Sequence, residues 1–391
     1  MYYYVNDFTF FLERERERER STRSILRMSE LDKLRKENRV MKEEMMRMRE
    51  EMKKLKRKEP VFMNGERVAN CLDMRTCIGI VGNALRGYAD KTYQQPLRFG
   101  YRLPLRDKKK MGILASMPAF CSKNTTTPYC STKVITVFPL NRQLGKHSHQ
   151  GVIVLFEAKT GELKAILDAT EVTAKRTAAA SAVATKMLAA VRSKTLTLIG
   201  SGTQAWTHLE AMTIVRPSIS QVNIWSRTKS NVDTFVKRAR IKFPSIEFVI
   251  SKDVREACKD ADIICTLTSS RVPLVTRDMV KPGAHINAVG SCTPNMRELS
   301  SDLVASAKVF TDDREACMKE PGDVVVPLAE GQNIHIYATI GEILLLSSSN
   351  DDKGARTSNR EITIFESLGL AIEDLACAIY LYENHCISCD D

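Results

Sequence analysis

Apolar positions follow three different rhythms along the chain. Leu31, Leu34, Met41, Met45, Met48, Met52 and Leu55 step by threes and fours, with Asn38 in the one polar slot, which is the spacing of a single helix face. Heptads with Asn at an a position predict a short coiled coil or a solvated single helix, and Pro60 ends either one. From Val61 to about Thr170 short strand-like runs dominate, at 112–117, 133–138, 152–157 and 163–167, broken by Pro104, Pro118, Pro128 and Asn141. The last two flank a loop of hairpin length. The Ala-rich stretch 171–190 predicts one long helix. Beyond Lys194 the rhythm becomes strand, helix, strand, with strands at 195–199, 221–225, 246–250, 262–267, 284–289 and 308–311. A terminal apolar helix is expected over 364–382.

This order predicts an α/β chain: a Rossmann-type doubly wound parallel sheet domain, a second α+β domain for dimerisation and substrate binding, and an N-terminal helical extension. The expected boundaries are 1–60 for the extension, 61–190 completed by 355–391 for the second domain, and 191–354 for the parallel-sheet domain. A length of 391 residues agrees with two folded units plus an appendage.

The charge balance of 59 Lys/Arg against 47 Asp/Glu gives +12, of which residues 1–59 hold +5. Without a basic block outside that segment, a dedicated nucleic-acid binder is not indicated. No apolar run is long enough for a membrane helix, and Asn6 and Asp7 interrupt the aromatic opening, so neither a membrane partner nor a signal peptide is expected. The alternation from Glu13 to Arg20 is what a repeated GA dinucleotide would encode, which makes Met28 a candidate start. Eleven scattered cysteines read as reduced thiols in the cytoplasm. Cys386 and Cys389, with C-x-x-C spacing, read as two free thiols, and no histidine has metal-ligand spacing.

Chemistry enters at a glycine turn. The strand at 195–199 runs into Gly200, Ser201, Gly202, Thr203, Gln204 and Ala205, followed by a helix. Gly200 permits the tight turn, Gly202 lets backbone approach a pyrophosphate, and Ala205 allows close helix–strand packing. The end of the next strand carries Ser226, Arg227 and Thr228 in place of the acid that would bind a ribose 2′-hydroxyl. Arg227 can fork onto a 2′-phosphate, so the cofactor expected is NADPH. Three cations stand in apolar surroundings: Arg98 after Gln95-Pro96-Leu97, Lys133 at the head of a Val-Ile-Thr-Val run, and Arg176 inside the Ala-rich helix. Buried cations need partners, so each is either exposed or held for an anion.

The segments 170–185 (TEVTAKRTAAASAVAT), 200–205, 224–229 (IWSRTK), 281–290 (KPGAHINAVG), Arg297-Glu298-Leu299 and 367–374 (SLGLAIED) together resemble the ornithine cyclodeaminase and mu-crystallin family over about residues 61–385. The resemblance implies a homodimer that reduces a cyclic imine carboxylate with NADPH, or one that binds thyroid hormone through the same basic pocket. It implies that Arg98, Lys133 and Arg176 face the substrate carboxylate, that Ser148, His149, Leu267, Cys292 and Ser367 lie near the cofactor, and that Glu320 contacts the ligand. Cyclodeaminases of the family carry an aspartate where this chain has Cys292. A neutral thiol cannot serve as that base and counter-ion, which weakens the cyclodeaminase and alanine dehydrogenase readings.

Overall fold

The computed structural model describes residues 4–55, 59–104, 112–122, 128–347 and 355–385. The chain divides into two units at Glu59 and Pro60. The first is one helix, Tyr4–Leu55. Its backbone is that of the helix the threes-and-fours rhythm predicts, and no helix among the described residues is long and apolar enough to cross a membrane.

The second unit holds two large sheets. One has the spatial order Val61–Met63, Leu163–Asp168, His149–Glu157, Tyr129–Val137, Ile113–Cys121, with Tyr93–Gln94 and Phe99–Arg102 both pairing with the last. All its pairings are antiparallel except the first. The hairpin expected around 158–162 forms, with Val152 opposite Asp168. Lys133 sits in mid-strand, opposite Met117 and Ile153, and does not begin the strand, because the run from Tyr129 to Thr132 also pairs on both sides.

The second sheet is parallel, in the order Glu247–Ile250, Gln221–Trp225, Thr195–Ile199, Ile263–Thr266, His285–Ala288, Thr363–Glu366, Lys308–Thr311, Ile336–Thr339. The inner strands are buried nearly throughout and mix apolar residues with buried polar ones such as Thr197, His285, Asn287 and Glu366. The terminal run differs from expectation. Residues 363–366 form an inner strand, paired with Ile286 on one side and Val309 on the other at Ile364, and the helix starts only at Ala371. The break falls at Gly369, whose φ of +75° is left-handed and ends one element before the next begins. Periodicity over a short apolar run does not separate a buried strand from a buried helix.

Between the sheets lies the Ala-rich helix Ala169–Leu188, capped by Asp168, whose carboxylate accepts the Glu171 amide at 2.9 Å. Alanine on most sides lets it pack against helices Met74–Ala89, Thr203–Val215 and Ala371–His385. It therefore carries Arg176 into the middle of the molecule. His285 is buried between Thr363 and Asn287. The nine described cysteines are free, while Cys386 and Cys389 lie outside the described residues.

Candidate active site

The three cations are brought into one chain of contacts. Lys133 Nζ lies 2.6 Å from Asp374 Oδ2, both side chains 1% exposed. Asp374 Oδ1 accepts from Arg176 Nε at 3.2 Å, and Arg176 Nη1 donates to Glu373 at 3.1 Å. Gly369 abuts this guanidinium so closely that a Cβ there would stand 2.2 Å from Nη1. One residue earlier, the Leu368 carbonyl accepts from Arg98 Nη2 at 2.8 Å, and Arg98 also forks onto Glu320 at 3.2 and 2.5 Å. Arg98, Glu320, Met117 and Leu370 line a small pocket at this point.

Burial sets the electrostatics. It lowers the Lys133 ammonium to about 8, helped by the Arg176 charge and opposed by Asp374. Burial would also lower Arg176, but Asp374 and Glu373 outweigh it and push the guanidinium up. Glu373 is pushed up to about 7 by burial, with Arg176 opposing and Asp312 and Asp374 reinforcing. Asp312 accepts the amides of Leu368 and Gly369 at 2.8 and 2.9 Å, and burial holds it at about 6. Each site cation thus meets a carboxylate, and two of the acids around them, Asp312 and Glu373, are raised towards neutral pH.

The acids Glu373, Asp374 and Asp312 escaped the sequence reading. The signal was present: Glu373 and Asp374 adjoin the apolar run 375–382 and Arg176 adjoins the Ala-rich run 177–184, and opposite charges beside two such runs imply each other.

The glycine turn stands at the carboxyl end of strand Thr195–Ile199. Gly200 has φ +129°, and a Cβ there would lie 2.8 Å from the Leu267 carbonyl. Gly202 caps helix Thr203–Val215 without a side-chain hydrogen bond, and a Cβ on it would meet open space. Amides at that helix start are therefore free to point at a phosphate. Ser367 Oγ and Gln204 Oε1 are buried without a hydrogen-bond partner among the described residues. This arrangement fits a dinucleotide: a turn with space for pyrophosphate, a helix N-terminus, and polar atoms awaiting a partner. Ser201 and Thr203 flank Gly202, and Ala205 is fully buried in the first turn of the helix.

The remaining candidates make no hydrogen bond or ion pair with the three cations among the described residues. Ser226 is half-buried, while Arg227 and Thr228 are exposed at the start of helix Lys229–Lys242. Ser148 Oγ is 3.1 Å from His149 Nδ1 at the head of strand His149–Glu157. Cys292 is exposed, its thiol directed to the Val289 carbonyl at 3.3 Å, in the electrostatic field of Arg98, Arg176 and Glu320. The loop before it is fixed by buried Glu298, which accepts the amides of Thr268 at 2.6 Å and Gly290 at 2.8 Å.

Residues 58–388 match the family model described as the ornithine cyclodeaminase/mu-crystallin family. The chain is 41% identical over 316 residues to a Δ1-pyrroline-2-carboxylate reductase of Bacillus cereus, covering 80% of this chain and 93% of that protein. It is 34% identical over 334 residues to the ketimine reductase mu-crystallin of Mus musculus, covering 84% of this chain and 98% of that one. The structure of Thermococcus litoralis Δ1-pyrroline-2-carboxylate reductase in complex with NADH and L-proline superposes with a TM-score of 0.76 at 33% identity, covering 83% of this chain and 96% of that one.

Proposed function

This chain belongs to the ornithine cyclodeaminase/mu-crystallin family, and from that membership we propose that it reduces cyclic ketimine carboxylates to saturated cyclic amino acids with NADPH. The substrates are of the piperideine-2-carboxylate, pyrroline-2-carboxylate or thiomorpholine type. The observation that carries this reading is the contact chain joining Arg98, Arg176 and Lys133 through Leu368–Gly369 and Asp374. It makes one receptor for a planar carboxylate out of cations from three separate elements.

The bound nicotinamide supplies hydride to the imine carbon. The protein's part is placement. Arg98, 28% exposed and braced by Glu320, forms the outer donor edge, while Lys133 and Arg176 form the buried floor. A carboxylate fixed there presents the adjoining C=N bond in one orientation. Lys133, with its ammonium near 8, stays protonated at neutral pH and acts as an orienting charge. An imine that binds already protonated requires no strong acid of the chain. Cys292, a neutral thiol where the family's cyclodeaminases carry aspartate, favours reduction over deamination. Arg227, exposed and without an ion-pair partner among the described residues, supports NADPH over NADH. The homodimer implied by the family and a cytoplasmic setting, in keeping with the free thiols, complete the proposal.

The test is oxidation of NADPH in the presence of piperideine-2-carboxylate and pyrroline-2-carboxylate, run in parallel with NADH. No turnover between pH 5 and 7, with cofactor binding demonstrated by calorimetry, overturns it. Ammonia release from ornithine would reinstate cyclodeamination, and tight triiodothyronine binding without cofactor consumption would favour a hormone carrier.

A further inference from the structure

The helix Tyr4–Leu55 carries an apolar stripe with no cover among the described residues: Leu31, Met41, Met45 and Met48 are 52%, 55%, 47% and 56% exposed. With Leu31 at a, the sequence sets Leu31, Asn38, Met45 and Met52 at a, and Leu34, Met41, Met48 and Leu55 at d. The residues flanking this stripe sort completely by sign. The g positions are Glu30, Glu37, Glu44 and Glu51, and the e positions are Arg35, Lys42 and Arg49. In a parallel coiled coil each g residue faces the e residue about five positions further along the partner. Glu30 then meets Arg35, Glu37 meets Lys42, and Glu44 meets Arg49, each across the interface. An antiparallel pair would set glutamate against glutamate and cation against cation.

The ion pairs within the helix do not satisfy these acids. Asp32–Arg35 at 3.3 Å and Arg39–Glu43 at 3.5 Å are made, while Glu30, Glu37, Glu44 and Lys42 have no ion-pair partner among the described residues. A single Asn at an a position is the device that fixes register in two-stranded coils. We propose that this helix pairs in parallel and in register with the same helix of a second copy of this chain. The pairing starts at Glu30, because the preceding a and d positions are Ser24 and Arg27.

A short, Met-rich seam is weakly specifying by itself, so charge complementarity decides the partner and its direction. The pairing is separate from the proposed activity and is read by proximity in the full-length chain. Met41→Cys, at a d position, should form a disulfide-linked dimer in glutathione buffer, far above both wild type and the outward-facing control Lys36→Cys. Adding Glu30→Lys, Glu37→Lys and Glu44→Lys should cut that product by about tenfold, as the repulsive pairs along the seam add up. Mixing with a Met41→Cys chain that also carries Arg35→Glu, Lys42→Glu and Arg49→Glu should restore it. Crosslinking of Met41→Cys no greater than that of Lys36→Cys overturns the pairing. Crosslinking indifferent to charge reversal, with helix content unchanged by circular dichroism, overturns the parallel arrangement.

Discussion

Asp374→Asn removes one charge from the centre of the cation cluster and leaves its shape. Asp374 stands 2.6 Å from Lys133 Nζ and 3.2 Å from Arg176 Nε, and none of the three side chains is more than 6% exposed. If the lysine kept its proton, an unpaired buried cation would cost roughly 3–5 kcal/mol. Releasing it is cheaper. With the ammonium already near 8, deprotonation at pH 7 costs about 1.4 kcal/mol. Lys133 in the variant should therefore be neutral at pH 7, the stability loss traceable to this lysine should stay near 1.4 kcal/mol, and one of three carboxylate-binding charges should vanish. In the wild type, reductase activity should fall as pH rises through about 8, and in Asp374→Asn that limb should move below about 7 with a raised KM. Stability follows the same linkage. A lysine lowered on folding penalises the native state below its folded value, and the wild type regains that stability as pH rises from about 8 towards 10.5. The variant should begin the gain at lower pH. The assays are pH profiles of kcat/KM and of thermal melting. An alkaline limb still near 8 with unchanged KM would refute the idea that Asp374 holds the proton on Lys133.

Three further outcomes are expected. Gly369→Ala places a methyl 2.2 Å from Arg176 Nη1 in backbone of φ +75°, so it should cost about 1–2 kcal/mol from the left-handed conformation alone and raise KM for the imine by displacing the guanidinium; unchanged KM in a folded variant would count against Arg176 as a carboxylate donor. Glu373→Gln removes an acid that burial holds near 7, whose ionisation destabilises the wild type as pH rises from 4.5 through 7. Melting curves of the two proteins should therefore diverge in the variant's favour by up to about 3 kcal/mol between roughly pH 4.5 and 8, whereas parallel curves would mean that Glu373 ionises at the same pH in the folded and the unfolded chain. Arg227→Ala, at an exposed position, should keep the wild-type stability within about 0.5 kcal/mol and lose the preference for NADPH over NADH in kcat/KM; a retained preference would move the phosphate contact elsewhere.

Regular patterns were legible in the sequence where local chemistry settled them. The strands of the parallel sheet between 195 and 311, the Ala-rich helix and the glycine turn each announce themselves within about twenty residues. The strand at Thr363–Glu366 did not, because its strand character comes from neighbours at His285–Ala288 and Lys308–Thr311 that are distant in sequence. The same holds for the ion pairs. Lys133, Arg98 and Arg176 were visible as misplaced charges, but their partners lie 241, 222 and 198 residues away, where no spacing rule reaches.

The stretch from Thr363 to Asp374 has a consequence for how the molecule is made. It supplies an inner strand of the parallel sheet, the carbonyl that braces Arg98, the glycine against Arg176 and both acids of the buried cluster. It also follows every other strand of the described residues along the chain. Until it emerges, the strands His285–Ala288 and Lys308–Thr311 have an open slot between them, and Lys133 and Arg176 lack counter-ions. A nascent chain stalled short of residue 363 therefore presents two unpaired edges and two uncompensated charges, a species primed to aggregate or to meet a chaperone. Sheet closure and assembly of the proposed anion receptor then become a single event that waits for this one segment.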